Sequence, residues 1–155
     1  IERMVQVYNA DLANTWGNLV SRVFNMTNKY FDGVVPTPPA GAEDNPLAEI
    51  AADLYKEYDE AMSNVDFSAA AAAVQKLASR VNLYVEDSAP WNLAKSEETA
   101  DELAAVIYNA LEAIRIIALF MAPFMPTTSN EVFNRMSGTP LYPRLDVDAI
   151  DFSLE

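Results

Sequence analysis

Apolar side chains recur at helical spacing in the first part of the chain, and this periodicity constrains the fold more than any other feature. Intervals of three and four residues place them on one face of an α-helix. The set consists of Leu12, Trp16, Leu19, Val20, Val23, Thr27, Tyr30 and Phe31. Asp11 precedes the set as a good N-cap, and Asp32-Gly33 follows it as a helix-ending turn. The pattern therefore predicts a first helix near residues 11–31 with this stripe buried.

Four more helices are predicted downstream from their start and stop signals. Asn45-Pro46 combines an N-cap with a proline at the first helical position. An alanine block follows Ser68, and alanine has the highest helix propensity and permits close helix packing. Ser96 is a candidate cap for a long helix that ends before Pro123, and a short helix opens around Pro126. The predicted helices cover residues 46–63, 68–86, 97–122 and 127–137.

The composition supports an all-α fold. Only four glycines occur among 155 residues, which disfavours a turn-rich β architecture, and a chain of this length buries one ordinary core. Five helices with short connections form a compact bundle. We expect residues 1–145 to form this bundle and residues 146–155 to form a short, extended and flexible acidic tail. The residues predicted to share one core are Leu19, Val23, Ile107, Leu111 and Ile114.

The missing residue types exclude most catalytic chemistry. Without His or Cys the chain has no imidazole base, no thiolate nucleophile, no disulfide and no ordinary zinc or copper site. Asp146, Asp148 and Asp151 lack the glycine and terminal glutamate of a calcium loop, and no glycine-rich phosphate loop occurs. No apolar run reaches the ~18 residues of a membrane span. We expect no catalytic residue, metal or cofactor in this chain, no membrane partner, and a cytoplasmic location.

The net charge of the whole chain and the charge of its first helix favour different functions. A net charge of −13 argues against general nucleic-acid binding, which depends on Lys and Arg neutralising phosphates. Residues 12–31 nevertheless contain no Asp or Glu. A polar ribbon along the first helix is instead formed by Asn14, Asn18, Ser21, Arg22 and Asn25. Amide and guanidinium groups are the side chains that read base edges, so a local RNA-binding surface is indicated.

The third predicted helix and the turn after it extend this surface. Residues 67–85 are free of acids and include Lys76, Arg80 and Asn82. Trp91 follows Pro90 at an element boundary, where its ring could stack on an unpaired base. Two other interpretations stay open from sequence alone. The acid-free helices could be central ones whose polar groups bond to neighbours, and Trp91 could fill a gap between helices.

Six short motifs follow one another along nearly the whole chain. They are Tyr8–Asn14 (YNADLAN), Gly17–Arg22 (GNLVSR), Asn28–Gly33 (NKYFDG), Ser79–Tyr84 (SRVNLY), Ala89–Lys95 (APWNLAK) and Leu119–Pro126 (LFMAPFMP). Together and in this order they resemble the anticodon-binding domain of methionyl-tRNA synthetases. The Ala-Pro-Phe-Met-Pro segment is shared with leucyl, isoleucyl and valyl domains.

The resemblance implies both a function and a set of residues. In this family the bundle follows a Rossmann-type catalytic domain, absent here, and reads the CAU anticodon of tRNA for methionylation. Asn18, Arg22 and Trp91 match the family's anticodon-reading positions, with Trp91 stacking on a base. The parent protein would be a methionine–tRNA ligase that uses ATP and Mg²⁺. Further candidate RNA contacts are Asn14, Asn25, Arg80, Asn82 and Lys95.

Two alternatives remain at this stage. The chain could be the anticodon-binding domain of a leucyl, isoleucyl or valyl enzyme, because these share the bundle. It could also be an acidic helical protein-interaction module, which the net charge favours. A non-acidic face that combines the first helix with Trp91 would favour RNA binding over protein interaction.

Overall fold

The structure is a computed structural model that describes the backbone of residues 2–37 and 45–136, and the side chains of residues 14–37 and 45–136. This part of the chain contains six α-helices and no strand, so the predicted all-α class is confirmed. The helices are α1 (Glu2–Phe31), α2 (Pro46–Ser63), α3 (Phe67–Ser88), α4 (Pro90–Leu93), α5 (Ala100–Met121) and α6 (Pro126–Met136). The acidic tail predicted for residues 146–155 lies outside the described residues.

The predicted start of the first helix was wrong, whereas its predicted end was right. The helix α1 begins at Glu2, so Asp11 lies within it rather than capping it. Residues 2–10 contain no Pro or Gly, and nothing in their sequence prevents the helix from extending upstream. At the other end Asp32 and Gly33 have φ of 53° and 76°. The Gly33 N–H donates to the Thr27 carbonyl at 3.2 Å, a bond that closes the last turn.

The other helix boundaries follow their capping residues. The Asn45 side chain accepts a hydrogen bond from the Leu47 N–H at 2.9 Å, and α2 has the predicted bounds. The start of α3 is earlier than Ser68, because the Asp66 carboxylate caps it by accepting from the Ala69 N–H at 3.0 Å. Ser96 does act as a cap, but of a single 3₁₀ turn (Glu97–Thr99) that leads into α5.

The core is organised around α5, which contacts every other helix in the described part of the chain. The five residues predicted to share one core are all at most 1% exposed and belong to one cluster, which confirms that prediction. Trp16 is also 1% exposed, as its place in the apolar stripe indicates. Tyr30 and Phe31 are only half-buried, because α1 ends there and their side chains pack at the margin of the cluster.

Within the described residues, the segment Glu97–Met121 is long and apolar enough to cross a membrane by length and composition alone. An 18-residue window within it has a mean hydropathy of 1.8, and 56% of that window is buried inside the bundle. A central core helix passes the same composition test, and the contacts of α5 with all its neighbours account for its apolar character.

The helices α1 and α3 lie side by side and run in the same direction. Near the start of the contact the Gln75 Nε2 donates to the Thr15 Oγ1 at 3.2 Å. Further along both helices the Arg22 Nη1 lies 3.4 Å from the Glu86 Oε1. This register places the middle of α1 beside the last turn of α3, the turn that leads into α4 and Trp91.

Candidate nucleic-acid interface

The polar ribbon predicted on α1 is a surface feature. Asn14, Asn18, Ser21 and Asn25 are exposed, and Arg22 is half-buried. Their spacing of three and four residues aligns them along the helix. The alternative that these polar groups belong to a central helix and bond to neighbouring helices is therefore wrong for Ser21 and Asn25, which are exposed, whereas Arg22 does pair with Glu86 of α3. Since residues 12–31 carry no acid, the ribbon is a non-acidic strip on an otherwise acidic protein.

Arg22 connects this ribbon to the end of α3. Its guanidinium Nη1 pairs with the Glu86 carboxylate, and the two side chains are 38% and 63% exposed. An exposed pair of this kind contributes at most ~1 kcal/mol to stability. It directs the guanidinium toward the last turn of α3 without burying it. Arginine has five N–H donors, and only Nη1 makes a hydrogen bond to another described residue.

Trp91 lies at the same end of α3. Between the two helices Ala89 adopts a left-handed conformation, with φ 43° and ψ 59°, which turns the chain sharply. Its N–H donates to the carbonyls of Val85 and Glu86, both at 3.2 Å. Pro90 is buried and begins the single turn of α4, which fixes the base of Trp91. The indole is 41% exposed, so Trp91 is not a buried plug between helices.

The Ala89 conformation carries a conformational cost. A left-handed backbone costs a residue with a Cβ roughly 1–2 kcal/mol. Such strain is found in proteins where the surroundings hold it, often at ligand-binding positions. Here the two capping hydrogen bonds hold it, and the turn places the aromatic ring of Trp91 at the surface, five residues after Glu86.

The further candidate RNA contacts differ in exposure and in whether their polar groups already form hydrogen bonds. Arg80 is exposed on α3 beside Leu83, which is itself largely exposed. Asn82 is half-buried, and its Nδ2 donates to the Ala78 carbonyl at 3.1 Å, so its amide is partly occupied. Lys95 follows α4, and its Nζ donates to the Asn92 Oδ1 at 2.8 Å.

Glu86 is a feature of the surface that the sequence did not predict. It forms an ion pair with a residue 64 positions away, and such a pair depends on the register of α1 against α3. The only sequence signal was its position directly after the acid-free stretch of residues 67–85. Lys76 also belongs to the acid-free stretch, and the sequence left open whether it bonds to a neighbouring helix. It is exposed and pairs with Glu57 at 2.6 Å.

Comparison with known proteins identifies the family. A sequence profile described as the anticodon binding domain of methionyl tRNA ligase matches residues 35–151. The chain belongs to this family. The methionine–tRNA ligase of Caldanaerobacter subterraneus subsp. tengcongensis is 36% identical, over 99% of this chain and 28% of its own length. That of Bacillus subtilis is 33% identical, over 95% of this chain and 26% of its own.

Solved structures agree with the sequence comparison. Mycobacterium tuberculosis methionyl-tRNA synthetase in complex with methionyl-adenylate matches with a TM-score of 0.75 and 30% identity, over 86% of this chain and 27% of that chain. The methionyl resemblance of the sequence motifs is thereby confirmed, in preference to a leucyl, isoleucyl or valyl domain. The chain spans about a quarter of the length of the relatives it matches.

Proposed function

We propose that this chain is the tRNA-recognition module of a methionine–tRNA ligase and that it binds the CAU anticodon stem-loop. In this role it positions tRNA for methionylation by a Rossmann-type catalytic domain elsewhere in the full-length protein. The observation that carries the proposal is the acid-free polar ribbon of α1, with Asn18 and with Arg22 paired to Glu86, beside the half-exposed Trp91 at the adjoining end of α3.

The three side chains offer complementary interactions. Asn18 and Arg22 are one helical turn apart, so they can address neighbouring bases at the same time. An amide provides one donor group and one acceptor, and a guanidinium provides a planar set of donors, so each can form a paired contact with a base edge. The exposed face of Trp91 can stack on an unpaired base, an interaction worth ~1–3 kcal/mol.

The surrounding residues would contribute less. Asn14, Asn25, Arg80 and Lys95 are exposed and could reach the loop or its phosphates. Asn82 would have to give up its bond to the Ala78 carbonyl. Because the chain carries a net charge of −13, we expect few phosphate contacts and a shallow salt dependence of binding. Base stacking and base-edge hydrogen bonds would supply most of the affinity.

The chemical step would belong to the rest of the parent protein. The relatives are methionine–tRNA ligases of which this chain covers about a quarter. We place ATP and Mg²⁺ binding in the catalytic domain and the parent in the cytoplasm. This chain has neither His nor Cys and no phosphate-binding loop. We therefore expect the isolated chain to show no methionine-dependent pyrophosphate exchange.

Titration of anticodon stem-loops against the chain tests the proposal. The probes are a CAU stem-loop and three loops with the same stem, each with one anticodon base changed. A lost paired base contact is worth ~1–3 kcal/mol, so the Kd of each changed loop should rise at least about fivefold. Equal affinity for all loops would contradict the proposal, as would no binding. Tighter binding of a changed loop than of the CAU loop would contradict it as well.

A further inference from the structure

Gly17 lies in the middle of α1, on the exposed side, where glycine has no evident structural purpose. A Cβ built at this position would meet nothing within 4 Å, and the backbone does not have the positive φ that would require glycine. Glycine weakens a helix interior relative to alanine, because it loses more conformational freedom on folding. The packing of the described residues therefore gives no reason for glycine here, and a ligand that approaches the helix backbone closely would give one.

The neighbours of Gly17 indicate what kind of ligand fits. It directly precedes Asn18 and lies on the same side of α1 as Asn14 and Ser21, three residues before and four after it. Those three residues are exposed and uncharged. None of the large exposed apolar side chains of the described residues lies on α1. The surface around Gly17 therefore suits the polar sugar–phosphate backbone of a nucleic acid better than the apolar face of a protein partner.

We infer that Gly17 is where the sugar–phosphate backbone of the anticodon loop passes in van der Waals contact with α1. The absence of a side chain lets the strand approach the helix closely enough for a base to reach Asn18. Non-bonded carbon atoms approach to ~3.5–4.0 Å, so an added methyl group would push the strand outward. A hydrogen bond of ~2.9 Å to the Asn18 amide would then be lost or lengthened. Gly17 is thus a positioning residue, and this inference depends on the proposed function.

Gly17→Ala and Gly17→Leu test the inference, with melting temperature and Kd for the CAU stem-loop as readouts. Gly17→Ala should raise Tm by ~2–4 °C, because it improves helix propensity in a domain of this size. The same variant should weaken CAU binding at least about fivefold, the low end for a lost base contact, and Gly17→Leu should weaken it further. Stability and affinity should therefore change in opposite directions.

Two further variants separate positioning from a general effect. Asn130→Ala, at an exposed site on α6, also improves helix propensity and should raise Tm without changing Kd. In an Asn18→Ala background, Gly17→Ala should weaken binding less than it does in the parent, because the contact it disturbs is already gone. An equal loss in both backgrounds would overturn the positioning role.

The remaining outcomes distinguish this inference from the proposed function. If the parent chain discriminates CAU from the changed loops and Gly17→Leu binds CAU as tightly as the parent, the inference is wrong and the proposed function stands. If Gly17→Leu melts well below the parent, another segment of protein covers this position, and the inference is also wrong. If the parent chain binds no stem-loop, the proposed function itself fails.

Discussion

Replacement of Trp91 by alanine separates a role in RNA binding from a role in packing. Truncating a fully buried Trp costs ~3–5 kcal/mol of folding stability. Because Trp91 is 41% exposed, the protein covers somewhat more than half of it, and the cost scales to about 2–3 kcal/mol. That corresponds to a fall in Tm of about 4–12 °C for a domain of this size. If the ring stacks on a base, the free energy of binding to the CAU stem-loop should also weaken by ~1–3 kcal/mol, a separate quantity that is measured on folded protein.

The assay combines thermal melts with stem-loop titrations at a temperature where every variant is folded. Trp91→Phe keeps an aromatic face and should retain more affinity than Trp91→Ala. Trp16→Ala is the matched control, because Trp16 is 1% exposed in the core. It should lose ~3–5 kcal/mol of stability and bind normally when folded. If Trp91→Ala behaves like Trp16→Ala, with a large loss of stability and normal affinity, Trp91 is a packing residue and the stacking role is refuted.

Three further predictions concern single substitutions. Asn18→Ala and Arg22→Ala should each weaken CAU binding by ~1–3 kcal/mol. Their Tm should change little, since both side chains lie off the buried stripe. A variant that unfolds but binds with normal affinity per folded molecule would show that the residue is structural. Val65 has φ 59° and is 67% exposed, so Val65→Asn should relieve left-handed strain and raise stability by ~1 kcal/mol, seen as a higher Tm. Burial raises the pKa of Tyr58 above its ordinary value of 10.0. The stability that Tyr58 contributes is therefore present below pH 10 and is lost as pH rises through its folded-state pKa. Tyr58→Phe should flatten that alkaline loss in urea melts, and an unchanged profile would rule Tyr58 out as its source.

Sequence predicted the parts of the fold that depend on local signals. The Asn45 cap and the Asp32-Gly33 turn each form hydrogen bonds within a few residues, so their sequence context is sufficient. Asp11 shows the limit of the same reasoning. A capping residue begins a helix only if the preceding residues do not themselves continue it, and here residues 2–10 do. The burial of Trp16 followed from periodicity because it depends only on which face of α1 is apolar.

The candidate surface was less predictable because it depends on how the helices are placed. Exposure of Asn18 and Arg22 could be read from the apolar stripe of their own helix. The exposure of Trp91 could not, because it depends on the turn at Ala89 that orients α4. The pairing of Arg22 with Glu86 requires the register between α1 and α3. The open space beside Gly17 likewise becomes visible only in three dimensions.

Nuclear magnetic resonance of the two indole N–H groups tests most directly whether this surface reads an anticodon. The chain contains only Trp16 and Trp91, one buried in the core and one half-exposed, so the spectrum includes its own control. A saturating CAU stem-loop should shift the Trp91 signal and leave the Trp16 signal nearly unchanged. A loop with an altered anticodon at the same concentration should shift Trp91 much less. An unchanged Trp91 signal at saturation, or an equal shift with both loops, would contradict anticodon recognition at this surface.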